Sequence, residues 1–258
     1  MTAMRDSKLN GFIFLVAVLV AWELVAQAEV MNPRLVPPFS RILRTFGALI
    51  SSGQIPMQIF ASLKRAAVGY FLAAAICIPL GLVLGLFNRL YQALAVIIEM
   101  LRPIPPPVMI PVAMLFFGLE DEMKIFVILF SCAWPILLNT LDGVKNIDPV
   151  LLQTARTFGL SRRRTIWRVI LPACSPQIMT GMRVSLPIML ILVVISEMVG
   201  STNGIGYFIL DSQRRFKVDQ MYAGMLALAI LGYALNQIFH FAHRSLLGWH
   251  WGMTQRLE

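Results

Sequence analysis

Residues 148–172 read Asp-Pro-Val-Leu-Leu-Gln-Thr-Ala-Arg-Thr-Phe-Gly-Leu-Ser-Arg-Arg-Arg-Thr-Ile-Trp-Arg-Val-Ile-Leu-Pro, a basic stretch set between long apolar runs. Asp148 suits a helix N-cap, and Pro149 suits the first helical position, where a missing N–H costs nothing. Gly159 suits a left-handed cap after Phe158. The predicted helix is about ten residues long, with Leu151, Ala155 and Phe158 on one face. Ser161 then opens a second short helix, Arg162 to Ile170, which Pro172 is expected to stop. Arg162, Arg163 and Arg164 crowd its first turn, against the positive end of the helix dipole. Local stability does not favour them there, whereas a partner surface or lipid headgroups would. The two helices predict an L-shaped elbow with an apolar knob and a basic rim. Such an elbow suits docking into a cleft on another protein; the alternative is a solvated interfacial loop.

Working outward, the flanking runs set the solvent. Of 258 residues, 58% are hydrophobic and 14% charged, against about 25% charged in soluble domains. So apolar a chain belongs in a bilayer, and runs of about 20 residues fit helices rather than barrel strands. Six spans are expected: Gly11 to Ala28, Ala66 to Phe87, an irregular third from Ala93 to Phe117, Met123 to Leu141, Pro176 to Val199, and Met221 to Ala242. The corresponding division is 1–30 for an N-terminal segment and first span, and 31–65 for an extracytoplasmic connection. A transmembrane core follows over 66–245, containing the loop 148–172, and then a tail over 246–258. Arg5 and Lys8 before the first run imitate a signal peptide, but Trp22, Glu23 and the lack of a small-residue cleavage site favour a retained span. Within 31–65, Ser40 after Pro37 and Pro38 suits the cap of an amphipathic helix from Arg41 to Ile50. Leu43, Phe46, Gly47 and Ile50 would share a face of that helix, or the segment is an ordinary connecting loop.

Charge sets orientation. The loop from Asp142 to Arg168 carries Lys145, Arg156, Arg162, Arg163, Arg164 and Arg168, which favours the cytoplasm and hence cytoplasmic N- and C-termini. Arg34, Arg41, Arg44, Lys64, Arg65, Arg214, Arg215 and Lys217 weaken the asymmetry from the other side. The net charge of +9 then reads as basic loops facing lipid and cytoplasm, not as nucleic-acid binding, since no basic stripe is interleaved with stacking aromatics. Cys77, Cys132 and Cys174 are isolated and read as small buried hydrophobes. His240 and His243, three apart without a carboxylate or thiol beside them, are weak grounds for a metal, and none is expected.

The run from Gln153 to Pro172 resembles the cytoplasmic loop of importer permeases in the ATP-binding-cassette (ABC) superfamily, whose pattern is Glu-Ala-Ala, three residues, Gly, nine residues, Ile-x-Leu-Pro. Here it reads Gln153-Thr154-Ala155, Gly159, then Val169-Ile170-Leu171-Pro172, with matching spacing. Gln and Thr depart from the pattern, which touches the partner contact made by the usual Glu. Leu101-Arg102-Pro103-Ile104-Pro105-Pro106 is similar to the third span of the subgroup handling taurine, other sulfonates, nitrate and pyrimidine thiamine precursors. So are Ser62-Leu63-Lys64-Arg65 with Gly69, Phe117-Gly118-Leu119, Pro135 with Leu138-Asn139-Thr140, Glu197-Met198, and Gly204-Ile205-Gly206-Tyr207. The resemblance implies an all-α membrane protein, a six-helix type I ABC importer permease of MetI-like fold, in a bacterial inner membrane. It implies two ATPase subunits, a second permease copy and an extracytoplasmic solute-binding protein as partners. No cofactor would be bound by this chain; ATP and magnesium would be used by the ATPase. Coupling residues would be Gln153, Thr154, Ala155, Phe158, Gly159, Arg162, Leu171 and Pro172. The solute would be a small anion such as a sulfonate, taurine or nitrate, or alternatively a heterocyclic vitamin precursor. Consistent with a separate ATPase, no G-x-x-x-x-G-K-[ST] loop is present.

Pro103, Pro105, Pro106, Pro107 and Pro111 each remove a backbone donor. Broken backbone at membrane depth is tolerated inside protein or beside a water-filled cavity. This segment is expected to line the pathway, or else to be a kinked packing helix. Candidate pathway residues are Arg102, Pro103, Pro105, Pro106, Asn139, Arg183 and Glu197. Arg102 meets an anion or pairs with Glu99; Arg183 attracts anions or is structural; Glu197 would latch a neighbouring helix; Glu23 faces the bundle. Gly81 and Gly85 form a small-xxx-small pair for close helix approach. An intramembrane enzyme would need HExxH, GxSxG or another catalytic set, which is missing, so no enzyme is expected. A secondary transporter would favour relay charges at the midplane and internal repeats, and neither stands out.

Overall fold

The structure, a computed structural model, describes residues 2–28, 32 and 35–246. Those residues are mainly helical, without strands. The helices are α1 (Thr2–Gln27), α2 (Phe39–Ser51), α3 (Gln54–Leu86), α4 (Asn88–Leu101), α5 (Met109–Phe117) and α6 (Asp121–Lys145). They continue with α7 (Pro149–Thr157), α8 (Arg162–Thr165), α9 (Leu171–Gly200), α10 (Ile205–Arg214) and α11 (Val218–Leu246). Four of them are long and apolar enough to cross a bilayer: α3, α6, α9 with the turns preceding it, and α11. A fifth candidate is the pair α4 and Pro106–Phe117, bent by 82° where the prolines fall. This is the irregular third span. In the expected first span, the apolar helix is a shorter piece, Val16–Gln27. The expected tail past Leu246 and the loop cation Arg34 lie outside the described residues.

Two compact units divide the chain: residues up to Ala61 together with Asn203–Ile230, and Ser62–Thr202 together with the segment from Leu231 onward. In the first, Trp22 of α1 donates its indole N–H to the Pro37 carbonyl at 3.2 Å and packs edge-on against Tyr222. The expected Ser40 cap is corrected here. α2 starts at Phe39, one residue before Ser40, and Ser40 gives its N–H and hydroxyl to the carboxylate of Glu23 at 3.0 and 2.7 Å. A carboxylate brought in from α1 therefore satisfies the helix start, whose first N–H groups have no partner within the helix. The face of α2 packed within the protein centres on Ile42 and Leu49, while Leu43 and Ile50 are exposed.

The second unit is organised by small residues. α6 and α9 pack against each other. A Cβ on Gly181 of α9 would lie 2.7 Å from the Pro135 carbonyl oxygen and 2.8 Å from Asn139 Cβ. On α3, a Cβ on Gly69 would meet Ile128, one on Gly81 would meet Thr140, and one on Gly85 would meet Val144, all within 2.6–2.7 Å. Backbone contact of this kind is open only to glycine, and it bears out the packing role expected of Gly81 and Gly85. Cys77, Cys132 and Cys174 are buried thiols that fill small gaps in the same packing. The expected boundary near residue 65 falls inside α3, which starts eleven residues earlier at Gln54.

Candidate functional site

Three features of the second unit are candidates for function: the elbow, the proline break and a buried ion network. The elbow follows its local sequence closely at first. Asp148 accepts a hydrogen bond from the Val150 N–H at 2.8 Å, with Pro149 at the first helical position of α7. At the other end Gly159 has φ 66°. The Leu160 N–H reaches back to the Ala155 carbonyl (3.1 Å) and the Gly159 N–H to that of Arg156 (2.9 Å). Together these bonds make a Schellman cap.

The second half differs from expectation. Pro172 does not stop a helix. α8 passes into a π-helical turn over Ile166–Ile170, and that turn runs directly into α9, with Pro172 in the first turn of α9. The physical reason lies in the wider turn. Proline lacks an N–H and crowds the carbonyl four residues back; a π turn shifts the bonding to i→i+5 and accommodates it. The result is one helical run from Arg162 to Gly200, 39 residues long. Ser161 makes no side-chain cap, although its carbonyl accepts from Thr165.

The elbow is fixed to its unit on one side and bare on the other. Ala155 is 3% exposed. Leu152, Ile166 and Leu171 pack on a core of Val144, Ile147, Ile170, Cys174 and Ile178, joined by Ile78 and Leu82 of α3. Three spans therefore converge on the inner face of the elbow. The outer face presents Phe158 at 79% exposure, together with Gln153, Thr154 and Arg162, all exposed. Of the three residues expected to share a face, Ala155 is turned inward, while Leu151 and Phe158 stay open. Next to the elbow, Lys145 sets its ammonium 3.3 Å over the Tyr91 ring and ties the end of α6 to α4.

At the proline break, Arg102 caps the end of α4 and Pro106 begins a short 3₁₀ turn. Arg102, Pro103 and Pro105 are exposed and Pro106 is half-buried. Arg102 and Glu99 form no ion pair with each other, so that expected alternative is not realised. Asn139 donates to the Pro135 carbonyl at 2.8 Å within α6. Arg183 is exposed on α9.

Glu197 is placed quite differently from these. It is fully buried. Its carboxylate accepts from the Ser62 hydroxyl at 2.8 and 2.9 Å and from Arg65 Nη1 at 2.9 Å. Arg65 Nε donates to Asp121 at 2.6 Å, and Lys124 donates to the carbonyls of Leu119 and Glu120. The set joins α3, α6 and α9. Arg65, expected in an outward loop, is corrected to a buried position inside α3. Its partners lie 56 and 132 residues away, and no local pattern announces them.

Comparison with known proteins places this arrangement. The family model for the binding-protein-dependent transport system inner membrane component matches residues 77–247, which include the elbow, the break and Glu197. The chain belongs to this family. Its members are the permeases of ABC importers. The permease is 29% identical over 241 residues to the taurine transport system permease protein TauC of Escherichia coli, covering 92% of this chain and 88% of TauC. It is 30% identical over 245 residues to the aliphatic sulfonates transport permease protein SsuC of Bacillus subtilis, covering 95% and 89%. It is 35% identical over 184 residues to the nitrate import permease protein NrtB of Leptolyngbya laminosa, covering 71% and 66%. Its fold matches a chain of the inward-facing MetNI methionine ABC transporter with a TM-score of 0.62 at 20% identity, over 72% of the permease and 93% of that chain. The permease is thus an inner-membrane transport component of type I importer fold, and its homologues are permeases rather than enzymes.

Proposed function

We propose that the permease forms, as a homodimer, the pathway for a small organic or inorganic anion of the sulfonate type, and that the elbow couples it to two copies of a separate ATPase. The carrying observation is the two-sided elbow: an inner face packed on three spans and an outer face offering Phe158 and Arg162. A cleft in the ATPase would grip that outer face. Closure of the ATPase dimer would then move the spans that the inner face holds, using ATP and magnesium bound by the ATPase alone. The elbow faces the cytoplasm in this reading, as do both termini. A solute-binding protein delivers the cargo on the opposite side. Taurine, aliphatic sulfonates and nitrate, for which the relatives are named, are all anionic or carry an anionic group. Arg102, exposed beside the proline break, is the cation we assign to meeting such a charge. The same reading assigns the pathway to Pro103, Pro105, Pro106, Asn139 and Arg183, and makes Glu197 a latch.

The test is Gly159→Val. A β-branched residue resists the left-handed conformation that closes the cap. The variant is expected to insert in the membrane normally yet to lose co-purification with the ATPase and to lose solute uptake. Normal co-purification together with normal uptake would refute docking through this elbow.

A further inference from the structure

We propose that Phe216 is the anchor by which the permease receives its solute-binding protein, seated in a pocket of that protein with an apolar floor and an acidic rim. The inference rests on the orientation proposed above. The elbow precedes α9 and Phe216 follows it, so one crossing of the membrane separates them and Phe216 emerges on the side where solute is delivered.

The observation behind it is an outlier. α10 ends in a full Schellman cap: the Lys217 N–H bonds to the Ser212 carbonyl at 2.9 Å, and the Phe216 N–H bonds to that of Gln213 at 3.0 Å. The left-handed position of that cap belongs by preference to glycine, because a Cβ there crowds the backbone. Phe216 occupies it at φ 56°, alone among the non-glycine residues described. The cap bonds would form as well with glycine there, and among the described residues the ring itself gains little packing, since Phe216 is 86% exposed. A large aromatic held in a disfavoured conformation and pointed at solvent has its purpose outside the fold.

The surroundings say what it meets. Arg214, Arg215 and Lys217 flank it, all exposed. The groove beside it is lined by Asn32, Leu35, Arg41, Lys217, Val218 and Asp219. Arg215 is paired with Asp211, and Arg41 with Asp219 at 2.7 Å, leaving the rim basic. An aromatic centre within a charged rim is the make-up of a protein interface hot spot. A membrane-inserting element would instead show several apolar side chains on one face. Here the apolar centre is limited to Phe216 with Leu35 and the half-buried Val218, ringed by Arg214, Arg215 and Lys217, and it falls short of such a face.

The experiment uses the permease assembled with its ATPase and reads ATP hydrolysis as solute-loaded binding protein is added. Phe216→Gly is expected to melt at or above the wild-type temperature, since glycine suits the cap, and to keep its basal hydrolysis. Half-maximal stimulation should need at least tenfold more binding protein, Phe216→Trp should restore it, and raising the salt should weaken the wild-type response. An unchanged dose response in Phe216→Gly, or a lowered melting temperature, overturns the anchor. As a second readout, Phe216→Cys can be labelled with an environment-sensitive dye, because Cys77, Cys132 and Cys174 are buried. A spectral shift on adding binding protein supports the proposal. A shift produced by anionic vesicles alone assigns Phe216 to lipid and overturns it. If binding protein fails to stimulate the wild-type complex, the delivery reading fails and the anchor with it; if only Phe216→Gly behaves like wild type, delivery stands and the anchor alone falls.

Discussion

Glu197 is fully buried, so its charge depends on partners such as Ser62 and Arg65. Truncating one member of such a pair leaves an uncompensated buried charge, at a cost of roughly 3–5 kcal/mol, whereas replacing both by apolar groups costs much less. Arg65→Leu should therefore lower the melting temperature of the purified permease sharply, and Arg65→Leu with Glu197→Leu should recover part of the loss. Equal melting of wild type and the single variant would mean that the network does not hold α3 to α9. Asp121, 43% exposed, is the weaker partner of Arg65, and Asp121→Asn should change the melting temperature much less.

Among elements, glycine packing makes a sharper contrast. Gly81→Ala places a methyl 2.7 Å from Thr140 Cβ and 3.0 Å from the Leu137 carbonyl oxygen, across the α3–α6 contact. Such overpacking costs about 1–3 kcal/mol. Gly47 in α2 has nothing within 4 Å of the added methyl, so Gly47→Ala gains helix propensity of about 1 kcal/mol. The two variants should shift thermal unfolding in opposite directions; the same sign for both would refute the assigned packing. The sequence made the glycine contact and the first half of the elbow readable because small-residue spacing, an Asx cap and a C-terminal glycine are local chemistry. Pro172 misled because its effect depends on the turn before it, and a π turn leaves little compositional trace. The start of α2 was displaced because Glu23, seventeen residues earlier, supplies its cap. Arg65 beside Lys64 looked like loop charge because sequence does not show that Glu197 waits across the packing. Phe216 was passed over because a Schellman cap is recognised by its glycine, and here that glycine is missing.

For the whole molecule, the division of labour predicts the energy source. Uptake by vesicles holding the assembled transporter should follow internal ATP and survive an ionophore that collapses ion gradients, and the permease purified alone should not hydrolyse ATP. Uptake abolished by the ionophore with ATP present would favour an ion-coupled carrier instead. The unbroken run from Arg162 to Gly200 adds a mechanical condition. At about 1.5 Å per residue it spans roughly 60 Å, with no loop between the part a motor would seize and the part where Glu197 is bound. In that reading a push at one end would reach the other as tilt or twist, with the π turn, Pro176 and Pro187 as the points where the run can bend. α3 and α6, bolted there through Arg65 and Asp121, must travel with the lever or break free of it.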